Sequence, residues 1–151
     1  METNILMVCL GNISRSPLAE GVFKSKSFST HFHIDSVATA NFHIMKSPDH
    51  GSIIVTADHG IDIILQKARS FKLEDFKLFD KIYVMDRNNL KTIIQLAETA
   101  EQFNKVSLIL GNEDVPDPYY GDENDFKIVF ELLSKACEKI KFDLINYKNA
   151  C

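Results

Sequence analysis

Short apolar runs alternate along the chain with longer stretches of helical periodicity. Four runs predict strands, because they are short, rich in aliphatic residues and bounded by polar or turn-forming residues; they cover 5–8 (ending at Cys9), 32–37, 81–85 and 106–110. Apolar spacing predicts helices over 16–26, from 47 to about 59, from 86 through 97, and from about 122 toward 147. Residues 61–79 predict mostly loop, with one helical turn near 73–76. Strands that alternate with helices favour a parallel sheet covered on both faces.

Local signals mark several helix ends. Ser47, Pro48 and Asp49 predict a helix start, with a capping serine, a proline at the first helical position and then an acid. Gly60 predicts the end of that helix. Asp86 directly follows a predicted strand and is expected to cap the next helix.

The last predicted helix carries one apolar stripe at helical spacing: Phe126, Val129, Phe130, Leu133, Ala136, Cys137, Ile140 and Leu144. Cys137 lies in that stripe and is expected to be a small core residue. Cys151 is at the chain end, where fraying is expected. Cys9 is then the cysteine left as a candidate for chemistry.

Composition narrows the class of protein. A chain of 151 residues, 45% hydrophobic and 25% charged, predicts a single soluble domain over residues 1–151. A net charge of −4 argues against a nucleic-acid partner. No apolar stretch reaches bilayer length and the N-terminus has no secretory signal, so no membrane partner is expected. Three cysteines without regular spacing argue against a disulfide framework or a zinc site, and indicate a reduced, cytoplasmic setting.

The segment after the first strand has the features of an anion site. Residues 9–17 read CLGNISRSP and join a strand to a helix, whose first N–H groups attract anions. Gly11 and Asn12 are suited to left-handed backbone angles, which turn successive N–H groups into a concave nest. Arg15 offers a planar fork for two phosphate oxygens, and Cys9 at the rim offers a thiolate. A cysteine and an arginine at this spacing are weak evidence alone; their position at a strand-to-helix junction strengthens it.

A second candidate lies far downstream. Asp117 is held between Pro116 and Pro118, which stiffen its backbone, and Tyr119 and Tyr120 follow. The loop comes after the last predicted strand, at the sheet edge where ligands of open α/β sheets bind. We therefore expect it to meet the Cys9 loop.

The chain resembles the low-molecular-weight protein tyrosine phosphatases over essentially its whole length. The matching segments are 8–17, 35–39, 48–49, 59–61, 68–69, 75–76, 79–80, 85–86 and 117–120. The resemblance implies a single-domain, flavodoxin-like α/β fold: an open parallel four-stranded sheet in the order 2-1-3-4 with helices on both faces.

The resemblance also implies residue roles. Cys9 would attack phosphorus and form a phosphocysteine, Arg15 and the loop amides would hold the phosphate oxygens, and Asp117 would serve as general acid and then base. The scheme needs no metal and no cofactor. The implied substrate is a phosphotyrosine-containing protein or a small aryl phosphate.

Further positions match supporting roles in that family. The phosphate-binding loop would comprise Leu10, Gly11, Asn12, Ile13, Ser14 and Ser16. Ser36 and His59 would join Asn12 and Ser16 in a hydrogen-bond network that shapes the loop, although from the residues alone His59 suits a helix end better. The pocket walls would include Leu10, Phe42, Tyr119 and Tyr120; Phe42 also suits a plain core position, and a tyrosine kinase is a possible partner acting on Tyr119 or Tyr120.

Three positions depart from the family pattern. Ser14 stands where family members often have a second cysteine, so oxidation of Cys9 is expected to be harder to reverse. Phe42 replaces a commoner Trp or Tyr, and Gly51 stands where arginine is usual. Two other functions are open: a thioredoxin-coupled arsenate reductase, although the chain has no thiol between Cys9 and Cys137, and a catalytically dead phosphotyrosine-binding module.

Overall fold

Four parallel strands form the centre of the computed structural model, which describes residues 2–26 and 31–150; Cys151 lies outside the described residues. In chain order the elements are β1 (Thr3–Cys9), α1 (Arg15–Lys26), β2 (Phe32–Ala38), α2 (His50–Ala57), α3 (Asp75–Leu78), β3 (Lys81–Val84), α4 (Arg87–Leu96), α5 (Ala100–Asn104), β4 (Val106–Leu108) and α6 (Glu123–Ala150). The sheet order is β2-β1-β3-β4, which confirms the predicted topology.

Strand β1 is a central strand of the sheet, since it pairs in parallel with both β2 and β3. Its alternate side chains enter two different clusters. Ile5 and Met7 pack with α1 and α6 on one face, and Leu6 and Val8 pack against the α3 and α4 side. All four are fully buried, as expected for a parallel strand covered on both faces.

The carboxyl ends of the strands bring the functional loops to one edge of the sheet. Cys9 is the last residue of β1 and lies in register with Ala38 at the end of β2, while Val8 is opposite Val84 at the end of β3. Loops that follow these strands therefore converge at this edge.

The predicted stripe of α6 is confirmed as core. Seven of its members are buried and Leu144 packs against them in part. Across the described ranges, 2–26 and 31–150, no helix combines the length and hydrophobicity needed to cross a bilayer.

Several predicted boundaries differ from the observed ones. Helix α2 begins at His50 rather than at Pro48, and its cap position is Asp49 rather than Ser47. Helix α5 was not predicted; it is only five residues long and is capped by Thr99, whose side chain accepts a bond from the Gln102 amide. Strand β4 ends two residues early because the chain turns there, with the Gly111 amide bonded to the Leu108 carbonyl.

Candidate active site

The sulfur of Cys9 lies at the end of β1 among hydrogen-bond donors. The Asn12 amide donates to Sγ at 3.3 Å, and the Ser16 hydroxyl is 3.0 Å from Sγ. Both contacts are buried. Hydrogen-bond donors directed at sulfur stabilise the negative charge that it carries when it acts as a nucleophile or as a leaving group.

The two residues expected to have left-handed backbone angles behave differently. Asn12 has φ 57°, as predicted, whereas Gly11 does not have a positive φ, so that part of the prediction is wrong. Gly11 is required for space instead. A Cβ atom there would lie 2.9 Å from Cδ2 of His43, so its absence lets the imidazole pack against the loop.

Asn12 is the hub of a buried hydrogen-bond network. Its Nδ2 donates to the hydroxyl oxygens of Ser16 at 2.8 Å and Ser36 at 2.9 Å, and its Oδ1 accepts from the Arg69 amide at 3.1 Å. The Arg69 bond fixes which way the Asn12 amide is oriented, since Oδ1 must face that N–H. The network therefore has a single direction of donation.

That direction sets the two serine hydroxyls. Because both oxygens accept from Asn12, each hydroxyl proton points elsewhere: Ser36 donates to Oε1 of Glu20 at 2.7 Å, and Ser16 is placed to donate to Cys9. Lys24 pairs with the other Glu20 oxygen at 2.7 Å. Glu20 was missed in the sequence, although it is four residues after Ser16 and so shares its helix face.

His59 does not belong to this network, contrary to the expectation from family resemblance. Its Nδ1 is 2.9 Å from the Val55 carbonyl oxygen, and its ring stacks on Phe130 with centroids 4.0 Å apart. The ring is held by the end of α2 and by α6. The simpler interpretation of His59 as a helix-end histidine is the one observed.

Arg15 is almost fully buried, with a 3% exposed side chain, and is oriented by partners from distant loops. Its Nη1 donates to Oδ2 of Asp86 at 2.8 Å and to the Val115 carbonyl at 2.9 Å, while Nη2 lies 3.6 Å from Oδ2 of Asp117. Asp86 caps α4 as predicted, accepting from the Asn89 amide. Its second role, orienting Arg15, was not foreseen.

A cavity of about 170 Å³ joins the Cys9 loop to the Asp117 loop. It is lined by Cys9, Leu10, Gly11, Ile13, Ser14, Arg15, Phe42, His43, Asp117, Tyr119 and Tyr120. The Asp117 carboxylate is 44% exposed and accepts a hydrogen bond from the Tyr119 amide at 3.1 Å, and Asp117 lines the cavity. A carboxylate, a guanidinium and a thiol therefore share one opening, at the sheet edge where they were expected to meet.

The rim of this cavity is aromatic. Phe42 is 67% exposed and lies at the mouth, so it is not a core residue. His43, which sequence analysis missed, lies between Phe42 and Tyr119, with ring centroids 6.3 and 5.8 Å away respectively. In the sequence, only the adjacent Phe42 indicated that this segment contributes to the pocket.

The turn before α2 braces the loop from outside. The Asp49 amide donates to the Ile13 carbonyl at 2.6 Å, and the Ser14 hydroxyl donates to Oδ2 of Asp49 at 3.2 Å. Gly51, one of the departures from the family pattern, also has a structural reason. A Cβ atom at Gly51 would collide with the ring of Phe126 on α6.

The second described cysteine is remote from this chemistry. Cys137 is fully buried, burial raises the pKa of its thiol to about 12, and its Sγ points at the Ala19 carbonyl 3.7 Å away. Such a thiol cannot act as a disulfide relay, which arsenate reduction would need. Within the part of the chain that the structure describes, no cluster of three or more His, Cys, Asp or Glu is arranged to hold a metal ion.

Comparisons with known proteins agree on one family. Residues 4–149 match the family model described as low molecular weight phosphotyrosine protein phosphatase. The pig protein of that name is 35% identical over 144 residues, covering 89% of this chain and 90% of the relative. The human protein is 34% identical with the same coverage.

Solved structures show the same likeness. A protein tyrosine phosphatase from Entamoeba histolytica, with Hepes in its active site, superposes with a TM-score of 0.90 at 30% identity, covering 97% of this chain and 99% of that one. Wzb from Vibrio vulnificus, in complex with benzylphosphonate, superposes with a TM-score of 0.83 at 26% identity, covering 92% and 97%.

Proposed function

Since the chain belongs to the low molecular weight phosphotyrosine protein phosphatase family and is a cysteine-based tyrosine phosphatase, we propose that Cys9 is its nucleophile, Arg15 its phosphate-binding cation and Asp117 its general acid and base. One observation carries this assignment. The Cys9 sulfur, the Arg15 guanidinium and the Asp117 carboxylate line a single small cavity at the carboxyl edge of the sheet.

In the first step, the Cys9 thiolate attacks the phosphorus of an aryl phosphate. The S–P bond forms as the bond from phosphorus to the phenolic oxygen breaks, and Asp117 donates its proton to that leaving oxygen. The loop amides and Arg15 face the equatorial oxygens, where charge is concentrated in the transition state. Arg15 needs no reorganisation for this, because Asp86 and Val115 already hold its Nη1.

In the second step, water attacks the phosphocysteine. Asp117, now a carboxylate, takes a proton from that water, and the S–P bond breaks to release inorganic phosphate and the Cys9 thiolate. The Ser16 hydroxyl, 3.0 Å from Sγ, stabilises sulfur as the leaving group. The Asn12 network fixes that hydroxyl by occupying its oxygen.

The assignment is tested by phosphate release from p-nitrophenyl phosphate and from a phosphotyrosine peptide. We expect turnover of both substrates by the native chain, inhibition by vanadate, and no turnover by Cys9→Ser. Activity remaining in Cys9→Ser would overturn the assignment. Peptide binding without phosphate release by the native chain would favour the non-catalytic alternative.

Asp117 is tested through the leaving group. Asp117→Ala should slow phosphotyrosine far more than p-nitrophenyl phosphate, because nitrophenolate is acidic enough to leave without a proton. Equal slowing of both substrates would contradict its role as the acid. The bonds from Arg15 Nη1 to Asp86 and Val115 do not involve Asp117, so inhibition by phosphate should persist in this variant and serves as the control that the binding site is intact.

The substrates we propose are phosphotyrosine proteins or small aryl phosphates, hydrolysed in the cytoplasm, where Cys9 would stay reduced. Tyr120 is 96% exposed and Tyr119 is 39% exposed, so Tyr120 is the more accessible target for a tyrosine kinase. Mass spectrometry of the Cys9→Ser variant after incubation with such a kinase tests this, because that variant should not remove the phosphate; phosphate on neither tyrosine would contradict it.

A further inference from the structure

A second cavity of about 410 Å³ lies beside the active site, between the start of α2 and the start of α6. We call it the α2–α6 groove. Its floor is apolar and includes Ile54, Val55 and Phe126. Gly51 deepens it, since the missing Cβ is what lets the Phe126 ring lie against α2.

The groove adjoins the active site at two points. Tyr119 lines both cavities, so this residue lies between them. Asp49 lines the groove and accepts the hydroxyl of Ser14, which lines the active-site cavity. A chain attached to a phosphotyrosine in the first cavity must leave across one of its walls, and the Tyr119 wall leads into the groove.

The charge around the groove is strongly one-sided. Its lining has four carboxylates, Asp49, Asp58, Asp122 and Glu123, and one ammonium, Lys127. Lys127 is already paired with Glu123 at 3.2 Å. Neither Asp58 nor Asp122 has a cationic partner within 4.0 Å among the described residues. The groove next to the phosphate-binding cavity therefore carries a net charge of −3 from its lining residues.

We propose that the α2–α6 groove binds a lysine or arginine side chain that flanks the phosphotyrosine of the substrate. This rests on the function proposed above and names the substrate class. A long cationic side chain matches the groove in two ways. Its aliphatic stem can lie on the apolar floor, and its charged head can lie among the carboxylates. An acidic flanking residue, by contrast, meets like charges and is disfavoured.

The test uses phosphotyrosine peptides identical except for one flanking position, occupied in turn by Arg, Ala or Glu on either side of the phosphotyrosine. We expect kcat/KM to be about three- to tenfold higher with Arg than with Ala on one flank only, since exposed ion pairs each contribute modestly. The preference for Arg should shrink as the salt concentration rises from about 0.05 to 0.5 M, because salt screens the attraction between exposed charges.

Three variants locate the effect. Asp58→Asn with Asp122→Asn should remove the Arg preference, and Asp58→Lys should shift it toward Glu. Glu138→Gln is the matched control: it lies on the same helix, is exposed, and removes the same charge roughly 22 Å from Glu123 along α6. It should keep the preference of the native chain.

The outcomes separate this proposal from the one it rests on. Hydrolysis of every peptide at equal kcat/KM would overturn the groove assignment and leave the phosphatase mechanism intact. An Arg preference on both flanks, or one retained in the double variant, would also overturn it. Failure to hydrolyse any phosphotyrosine peptide, with p-nitrophenyl phosphate still cleaved, would overturn the proposed protein substrate and the groove assignment together.

Discussion

Replacing Asp86 with alanine tests whether the position of Arg15 is set by the ion pair seen in the structure. The guanidinium is 3% exposed and Asp86 is 18% exposed, so the pair is largely shielded from water. Removing one partner of a buried pair costs about 3–5 kcal/mol, because a buried charge is left uncompensated. Arg15 keeps the Val115 carbonyl, so we take the lower end, about 3 kcal/mol.

Asp86→Ala also removes the N-cap of α4, which costs about 1 kcal/mol. The expected total of about 4 kcal/mol corresponds to a fall of roughly 10 °C in melting temperature for a chain of this size. Thr99→Ala is the matched control, since it removes the cap of α5 without touching Arg15. It should cost only about 1 kcal/mol.

Thermal unfolding followed by circular dichroism measures the stability change, and competitive inhibition by inorganic phosphate measures the binding site. A loosened Arg15 should weaken phosphate binding by about tenfold, which is the loss of one charge-assisted hydrogen bond. A simple charge effect predicts the reverse, because losing a carboxylate near the site favours an anion. Tighter phosphate binding by Asp86→Ala, or a melting temperature equal to that of Thr99→Ala, would refute the reasoning.

Ser14→Cys should protect the enzyme from peroxide, because a neighbouring thiol can trap the oxidised nucleophile as a reducible disulfide; equal recovery of both proteins with dithiothreitol would contradict this. Gly51→Ala should destabilise by about 1 kcal/mol in urea unfolding, since crowding of Phe126 at about 1–3 kcal/mol outweighs a gain of about 1 in helix propensity; a more stable variant would argue against it. Burial raises the pKa of Cys137 from 9.0 to about 12 and that of Tyr83 from 10.0 to about 12. The fold keeps protons that the unfolded chain releases, so stability is full below about pH 9 and is lost as pH rises toward 12. A melting temperature that stays flat from about pH 9 to 11 would contradict this, and Tyr83→Phe should flatten the part above pH 10.

Local patterns were sufficient for the fold. The run at 5–8 predicted a strand buried on both faces, and the α6 stripe predicted which side of that helix is core. Each pattern depends on residues a few positions apart, so the sequence contains it directly. The helix boundary at Asp49 was misplaced for the opposite reason: a local capping signal at Ser47 was overridden by bonds between Asp49 and the distant Cys9 loop.

The loops that carry the reacting residues of the candidate site could be predicted from the sequence, but the residues that orient them could not. Cys9, Arg15 and Asp117 lie in segments with distinctive composition, whereas their partners do not. Asp86 is 71 residues from Arg15, and as a sequence feature it is an ordinary helix cap. From the sequence alone, Glu20 resembles an ordinary exposed residue of a helix. Its buried bond to Ser36 becomes evident only once the position of β2 is known. Contacts of this kind depend on strand order and register, which cannot be read from the residue types at single positions.

The loop after β1 depends on chain segments that are scattered through the fold. Ser36, Asp49, Arg69, Asp86 and Val115 each bond to at least one of its atoms, and they come from five separate stretches of sequence. The consequence concerns protein design. Transplanting the short CLGNISRSP segment onto another scaffold would carry over the reacting groups without their orientation, so a designer would have to rebuild these five braces before expecting turnover.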